Sequence, residues 1–282
     1  MPDKYSAIWV SHSSMGDFLK CPRLYYLHNV YKDPVTRNKI SLVSPHMSLG
    51  VAVHEVLEGL ANFPSEERMT RDLLATFEDE WKKVEGKKGG FLSKEMEEEF
   101  KSRGKVMLEN VKKDPKFLIN KRIKIPRGHN DMNPNFFISE EDNIILNGLI
   151  DWIEYLPESD SLHIVDFKTG KKEENESSLQ LPIYLLLCNA LQKRKVSRAS
   201  YWYLESGNVI EKELPDLETA RRDVMEVALR VKEARVKGEF KCSKGEGGCM
   251  HCRPYDKILT KDPSIAFVGQ GGFKQDLYIQ LQ

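Results

Sequence analysis

The sequence contains no apolar run long enough to cross a membrane, for which a helix needs roughly 18 or more consecutive apolar residues. No segment of this 282-residue chain approaches that length. Residues 1–10 also lack the basic segment, apolar stretch and small-residue cleavage site that direct secretion. We therefore expect a protein without membrane contact that resides in the cytoplasm.

The chain also lacks net charge, since 43 Lys and Arg residues balance 43 Asp and Glu residues. Without a net field the whole molecule does not attract a polyanion, so any affinity for nucleic acid must be local. One stretch combines several cations with the single acid Asp114: Lys112, Lys113, Lys116, Lys121, Arg122, Lys124 and Arg127. The stretch fits contact with a phosphate backbone, but it equally fits a solvated strand edge protected by lysines.

Helical periodicity dominates the first 113 residues. Apolar residues at helical spacing predict a helix over about residues 45–62, with His54 beside the apolar stripe. Ser14, three residues before Asp17, predicts a capping box for an opening helix that is interrupted at Pro22. Residues 65–113 are also helical in pattern, with a break at residues 86–90. No Pro/Ser-rich linker separates them, so we interpret residues 64–115 as an insertion in a single domain over residues 1–282.

A β-sheet is predicted from residue 117 onwards, where Phe117, Ile119, Ile123 and Ile125 alternate as in a strand. Further strand-like runs cover residues 135–139, 143–156, 161–168, 199–205 and 209–214. Helices are predicted over residues 178–193 and 217–237, the second ending at Gly238, a suitable C-cap residue. The pattern as a whole predicts an α/β fold.

Residues 145–168 predict a hairpin with two facing carboxylates. Residues 157–160 have the composition of a four-residue turn, and counting back from it places Asp151 opposite Asp166. Opposed side chains have Cβ atoms about 4.5–5.5 Å apart, where two carboxylates repel unless a cation lies between them. Lys168 falls on the same face as Asp166. The arrangement suits Mg²⁺ or Mn²⁺ and hydrolysis of a phosphodiester; the alternative is a solvent-facing polar patch.

Five short segments carry a recurring set of motifs. They are residues 21–27 (CPRLYYL), 50–58 (GVAVHEVLE), 147–151 (NGLID), 164–170 (IVDFKTG) and 180–184 (QLPIY). In this order they resemble the RecB-like branch of the PD-(D/E)XK nuclease superfamily, which includes the CRISPR-associated RecB-like exonucleases and the AddB nuclease domain. Each motif alone is weak evidence, but five in the family's order make coincidence an unsatisfactory explanation.

The resemblance implies a restriction-endonuclease-like α-β-β-β-α-β core with a mixed sheet. It also implies a metal site formed by His54, Asp151, Asp166 and the Phe167 carbonyl, with Lys168 as the catalytic lysine. The implied activity is metal-dependent hydrolysis of DNA, at ends or in single strands. Taken alone, His54 is equally well explained as a satisfied histidine beside an apolar stripe.

Gln180 and Tyr184 would flank this site as catalytic residues. Positions four apart lie on one helix face, where an amide and a phenol both reach toward a phosphate or the lysine. The alternative for this pair is ordinary polarity of a helix surface.

The five cysteines, in a chain without a secretion signal, argue against a disulfide framework. Cys249 and Cys252 form a Cys-x-x-Cys in the loop at residues 240–253, Cys242 precedes them, and Cys21 lies in the N-terminal motif. The resemblance implies that these four hold a [4Fe-4S] cluster, although the family's usual last cysteine is missing and Cys242 is its only substitute. Alternatives are Zn²⁺ on the same thiolates, Zn²⁺ on three of them with His251, or no metal.

Cys188 belongs to the apolar face of a predicted helix, where a cysteine behaves as a small core residue.

The sequence has no Gly-x-x-x-x-Gly-Lys-Ser/Thr loop, so this chain is not expected to unwind DNA with ATP. A helicase or a CRISPR adaptation complex would supply that step in DNA repair, recombination or adaptation. Two other functions fit the same residues: a catalytically silent DNA-binding or scaffold subunit, and a nuclease that acts on RNA.

Overall fold

The computed structural model describes residues 3–126, 128, 132–272 and 274–281, in which helices and strands follow in mixed order. The strands are β1 (Ile8–Val10), β2 (Lys39–Leu42), β3 (Asn135–Ser139), β4 (Ile144–Asn147), β5 (Trp152–Leu156), β6 (Ser161–Lys168), β7 (Val196–Tyr203), β8 (Asn208–Lys212), β9 (Ile265–Gly271) and β10 (Gln275–Gln280). The α-helices are α1 (His12–Lys20), α2 (Pro22–Tyr25), α3 (Pro45–Gly59), α4 (Ser65–Arg68), α5 (Leu73–Trp81), α6 (Lys94–Lys113), α7 (Gln180–Leu191), α8 (Leu217–Lys237) and α9 (Arg253–Leu259). A π-helix spans Tyr26–Val30, and 3₁₀ turns span Leu60–Asn62, Gly86–Gly89 and Lys116–Ile119.

The strands of the described residues form three sheets. The largest has the order β5-β6-β7-β8, in which β6 and β7 are parallel and the outer pairs antiparallel. A second sheet has the order β1-β4-β3 and a third the order β2-β10-β9. The elements α3, β4, β5, β6, α7 and β7 follow one another as α-β-β-β-α-β, with β3 as an added partner of β4, so the predicted fold class with mixed sheets is confirmed.

The largest sheet separates two apolar cores. On one face, Ile164 and Tyr201 pack with α7 and α8. On the other face, Val165 and Phe167 pack with α3, α5 and α6. Successive residues of β6 therefore point to opposite layers, as a strand requires, and Asp166 shares the α7 side with Ile164.

The predicted strand at residues 117–125 is wrong. Lys116–Ile119 forms a 3₁₀ turn that begins with a left-handed φ of 44° at Lys116. The neighbours Phe117 and Leu118 both contribute to the apolar core, which an alternating strand does not allow. Only the end of the segment is strand-like: Arg122 bridges Glu154 antiparallel, at the open edge of β5.

The predicted strand over residues 143–156 is divided between two sheets, because the chain leaves β4 at Asn147 and enters β5 at Trp152. Gly148 lies in the break, where a Cβ atom would stand 2.9 Å from Leu187 Cδ1 of α7. A side chain there would press on Leu187, so glycine permits the close approach of strand and helix.

The capping box of α1 is one turn earlier than predicted. Ser11, not Ser14, is the N-cap; its Oγ accepts from Ser14 N at 3.2 Å, and Ser14 Oγ accepts from Ser11 N at 2.9 Å. The predicted helix over residues 217–237 is confirmed, and it ends at Gly238 with a φ of 67°.

The basic stretch of residues 112–127 is divided among several elements. Lys112 and Lys113 end α6, Lys116 pairs with Asp114, and Lys121 lies over the Tyr155 ring. Arg127 lies outside the described residues.

A buried polar chain connects β5, β6 and β7. His163 has no exposed surface, and its ring lies 2.8 Å (Nδ1) from Glu154 Oε2 and 2.9 Å (Nε2) from Ser200 Oγ. The other Glu154 oxygen accepts from the Asn120 side chain, and the Phe117 ring meets His163 edge-on. Because both ring nitrogens have partners, the imidazole is tolerated in the core.

We expect Ser200→Ala to lower the free energy of unfolding by about 1–3 kcal/mol, because it leaves a buried ring nitrogen without a partner. Urea denaturation measures the change. Ser177→Ala, at an exposed loop position, is the control and should stay within about 0.5 kcal/mol of the wild type. Equal stability of the two variants would contradict a structural role for the buried chain.

Candidate active site

Four elements bring the predicted site residues together. Helix α3 carries His54, the break between β4 and β5 carries Asp151, β6 carries Asp166 and Lys168, and α7 carries Gln180 and Tyr184. The hairpin register runs from Trp152↔Val165 to Leu156↔Ser161, so its continuation sets Asp151 opposite Asp166. The register derived from the turn at residues 157–160 is confirmed.

The carboxylate of Asp151 contacts both β6 and α3. It is buried, and its Oδ2 accepts a 2.7 Å hydrogen bond from the backbone N–H of Phe167. Its Oδ1 lies 3.5 Å from His54 Nδ1. One oxygen therefore fixes the carboxylate to β6, while the other faces α3.

The surroundings of Asp166 shift the pKa of its carboxyl group. It is only 2% exposed, and its Oδ1 accepts from Gln180 Nε2 at 2.7 Å and from the Tyr184 hydroxyl at 3.2 Å. Burial and the nearby charge of Asp151 raise the pKa of Asp166 to about 7, although Lys168 works in the opposite direction. The second oxygen, Oδ2, is buried without a well-formed hydrogen bond and has only the Lys168 ammonium 2.9 Å away.

Lys168 is surrounded by hydrogen-bond acceptors and one aromatic ring. Its Nζ donates to Gln180 Oε1 at 2.6 Å, lies 3.1 Å from Glu174 Oε2, and stands 4.7 Å from the centre of the Tyr201 ring. Burial disfavours the ammonium, but the Asp166 and Glu174 carboxylates outweigh it and raise the pKa of Lys168 above its ordinary value. The lysine is therefore a fixed cation at neutral pH.

His54 faces two carboxylates. Its Nδ1 lies 3.5 Å from Glu58 Oε1 as well as 3.5 Å from Asp151 Oδ1. Burial disfavours the charged imidazole, yet Asp151 and Glu58 raise the pKa of His54 well above its ordinary value. Ligand atoms of His54, Glu58 and Asp151 all lie within 4.8 Å of one another.

This donor set fits a divalent cation. An imidazole and carboxylate oxygens are ligands that Mn²⁺ accepts, and Mg²⁺ prefers the oxygens. The buried Oδ2 of Asp166 has a lone pair free of a proper hydrogen bond, and buried carboxylates that face each other are stabilised by a cation between them. The donor types of His54, Glu58 and Asp151 therefore fit the metal expected from the sequence, whereas Asp166 is not a member of this group.

Three further residues adjoin the site that the sequence predictions did not include: Glu58, Glu174 and His12. Glu58 stands four positions after His54, so the shared helix face was a usable signal. Glu174 and His12 gave no such signal, because Glu174 lies in an irregular loop and His12 is distant in sequence. His12 Nε2 lies 3.4 Å from Ser178 Oγ, and both Glu174 and Lys168 act electrostatically on its ring.

The four predicted cysteine ligands meet in a second group. Ligand sulfur atoms of Cys21, Cys242, Cys249 and Cys252 lie within 4.8 Å of one another, and Cys249 and Cys252 are 3.8 Å apart. Cys242, the substitute for the family's last cysteine, thus reaches the group. His251 is exposed and is not among its members.

The thiols of this cysteine group differ in acidity. Burial works against the Cys249 thiolate, but backbone N–H groups of Cys252 and His251 lower the pKa of Cys249 to about 7. Burial raises the pKa of Cys252 to about 12. All five cysteines are free, and Cys188 is buried in the apolar core as predicted.

A family model for the PD-(D/E)XK nuclease superfamily matches residues 9–256, most of the chain. No curated protein matches. Among the described residues, no helix combines the length and apolar character needed to cross a membrane.

The raised pKa of Asp166 predicts a pH-dependent stability in metal-free protein. The unfolded chain loses this proton near pH 4, whereas the folded chain keeps it to about pH 7, so the folded state binds more protons in between. Stability from this group therefore falls as pH rises from about 4 to 7. Asp166→Asn removes the effect, and its melting temperature in EDTA should increasingly exceed that of the wild type over this range.

The control for this titration is Asp79→Asn, at a position whose side chain is 72% exposed. Its melting temperature should stay parallel to that of the wild type. A constant offset between Asp166→Asn and wild type from pH 5 to 8 would contradict the raised pKa.

Proposed function

Because the chain belongs to the PD-(D/E)XK nuclease superfamily, we propose that it is a Mg²⁺- or Mn²⁺-dependent nuclease that hydrolyses phosphodiester bonds of DNA. We further propose action on DNA ends or single strands, as in the RecB-like branch. One observation carries the proposal: Asp151, Asp166, Lys168 and His54 converge at one end of the hairpin. A scaffold subunit without activity has no need to keep a caged lysine beside two buried carboxylates.

In this proposal His54, Asp151, Asp166 and the Phe167 carbonyl hold the divalent cation, and Glu58 is close enough to join them. When bound, the cation supplies Lewis-acid activation of the phosphodiester and of the attacking water. Asp166 has to be ionised to serve as a ligand, and the cation favours that form by adding positive charge beside it.

Lys168 provides the fixed positive charge of the reaction. Its ammonium orients the attacking water or stabilises negative charge that develops on the phosphate. Gln180 connects Lys168 to Asp166, since its Oε1 accepts from the lysine and its Nε2 donates to the carboxylate. Tyr184 donates to the same oxygen of Asp166. Gln180 and Tyr184 together therefore position the Asp166 carboxylate and the Lys168 ammonium.

We interpret residues 1–282 as one nuclease domain, in which α4, α5 and α6 form the helical insertion at residues 64–115. These helices cover the face of the largest sheet opposite α7 through the core that contains Phe77, Trp81 and Met107. A helicase or CRISPR adaptation complex remains our proposal for the partner, because it would supply the unwinding that this chain is not expected to perform.

We expect Asp166→Ala and Lys168→Ala each to abolish cleavage, because one removes a cation ligand and the other the fixed positive charge. The assay incubates end-labelled single- and double-stranded DNA, and RNA of the same sequence, with Mg²⁺, Mn²⁺ or EDTA. Lys171→Ala is the matched control, because Lys171 is close in sequence but 73% exposed. Wild-type rates in either site variant would refute the site, and preferential cleavage of RNA would refute DNA as substrate.

We also propose that the four cysteines hold a metal centre that connects the two ends of the chain. The family resemblance implies that this centre is a [4Fe-4S] cluster. The close sulfur spacing favours a second candidate, a single tetrahedral Zn²⁺, because a Zn–S bond of about 2.3 Å places thiolates about 3.8 Å apart. A cubane cluster binds each thiolate through a separate iron, so the four sulfurs would have to separate further.

Metal analysis of protein purified without air distinguishes these candidates. A [4Fe-4S] cluster predicts brown protein with about four irons per chain, whereas Zn²⁺ predicts colourless protein with one zinc. Cys242→Ser should lose the metal as Cys249→Ser does, and Cys188→Ser is the control that keeps it. Full metal content in Cys242→Ser would show that Cys242 is not a ligand.

A further inference from the structure

A groove of about 540 Å³ opens beside the group of His54, Glu58 and Asp151. Helix α3 forms one wall with Glu55 and Glu58, and the extended segment 122–126 forms the other. Its floor is apolar and includes Ile150 and Ile153. The groove therefore starts at the candidate metal site and leads away along the edge of β5.

Arg122 occupies the end of the groove nearest the metal site. Its backbone is fixed at the edge of β5, since Ile123 N donates to Ile153 O at 2.9 Å and Tyr155 N donates to Lys121 O at 2.8 Å. The guanidinium lies 4.9 Å from the centre of the Trp152 ring, and one Nη donates a long 3.4 Å bond to the Asp151 carbonyl. The side chain is thus held in place mainly by stacking.

The hydrogen-bonding capacity of this guanidinium is largely unused. Its Nε is buried and has no partner among the described residues. Buried donors are normally paired because an unpaired one is costly. The charges that act on Arg122 are the carboxylates of Glu58 and Asp151 and the guanidinium of Arg68, and both carboxylates also face His54.

We propose that Arg122 binds a phosphate of the nucleic-acid strand next to the phosphodiester that is cut, and that Lys124 continues the contact along the groove. The planar guanidinium presents paired donors that match phosphate oxygens, and a shift of the side chain toward the groove would bring its unpaired Nε–H to one of them. This inference rests on the proposed nuclease function.

The test measures binding and turnover separately. Binding of a fluorescent single-stranded DNA is followed by anisotropy between 50 and 200 mM KCl in the inactive Asp166→Ala background. Arg122→Gln should raise Kd about tenfold and reduce the salt-dependence slope by about one, as expected for one lost phosphate contact. In otherwise wild-type enzyme the same change should raise KM about tenfold and lower kcat less than about threefold.

Two further variants separate phosphate binding from general packing. Arg122→Lys keeps the charge but cannot bind two oxygens in a plane, so it should keep the salt slope and still raise KM. Lys124→Gln, at an exposed position, should reduce the slope without affecting the fold. Lys121→Gln is the matched control: it has the same charge, is adjacent in sequence, and lies over Tyr155 outside the groove, so it should match the wild type.

Unchanged Kd, slope and KM in folded Arg122→Gln would overturn the inference. If Arg122→Gln does not fold, an unchanged KM in Arg122→Lys together with an unchanged slope in Lys124→Gln would overturn it as well. Failure of the proposed function looks different, because the wild-type protein itself would then cut neither DNA nor RNA, whether or not it binds them.

Discussion

The mutual repulsion of Asp151 and Asp166, two buried carboxylates held opposite each other by a hairpin, is the constraint on which the rest of the site depends. Neither residue can move away, because Asp151 is bonded to the backbone of β6 and Asp166 to two side chains of α7. The surrounding elements relieve the repulsion with cations: Lys168 on one side and His54 on the other. A divalent ion is the remaining partner that this geometry calls for.

The layered fold explains how such a polar site persists between two apolar cores. Val165 and Phe167 anchor β6 to the layer of α3, α5 and α6, while Asp166 emerges on the side of α7. The strand is thus stabilised by apolar packing on both faces, and its active-site residues lie near its C-terminal end. At Gly148 the chain leaves β4 of the second sheet, and Asp151 follows in the active site. Because glycine has no side chain, β4 and α7 stay in close contact at this point.

The parts of the structure that were predictable from sequence depended on local signals. Turn composition and alternation determine the hairpin, so the opposition of Asp151 and Asp166 followed directly, and Gly238 marked the end of α8. His54 needed the motifs around it to stand out from an ordinary histidine. The segment around Phe117 misled because its apolar residues Phe117 and Ile119 stand at alternating positions, although in the structure Leu118 between them is buried and Ile119 is exposed. The pairing of β2 with β10 could not be predicted from a local sequence signal, since these parallel strands lie at opposite ends of the chain.

Helix α1 has His12 beside the candidate catalytic lysine at its first turn and ends at Cys21, a member of the cysteine group. Nine residues at 1.5 Å each make this connection about 13 Å long. The helix therefore connects the active site directly to the cysteine group. Because a short helix moves as one unit, a displacement of the cysteine group would be carried along α1 to the residues beside Lys168.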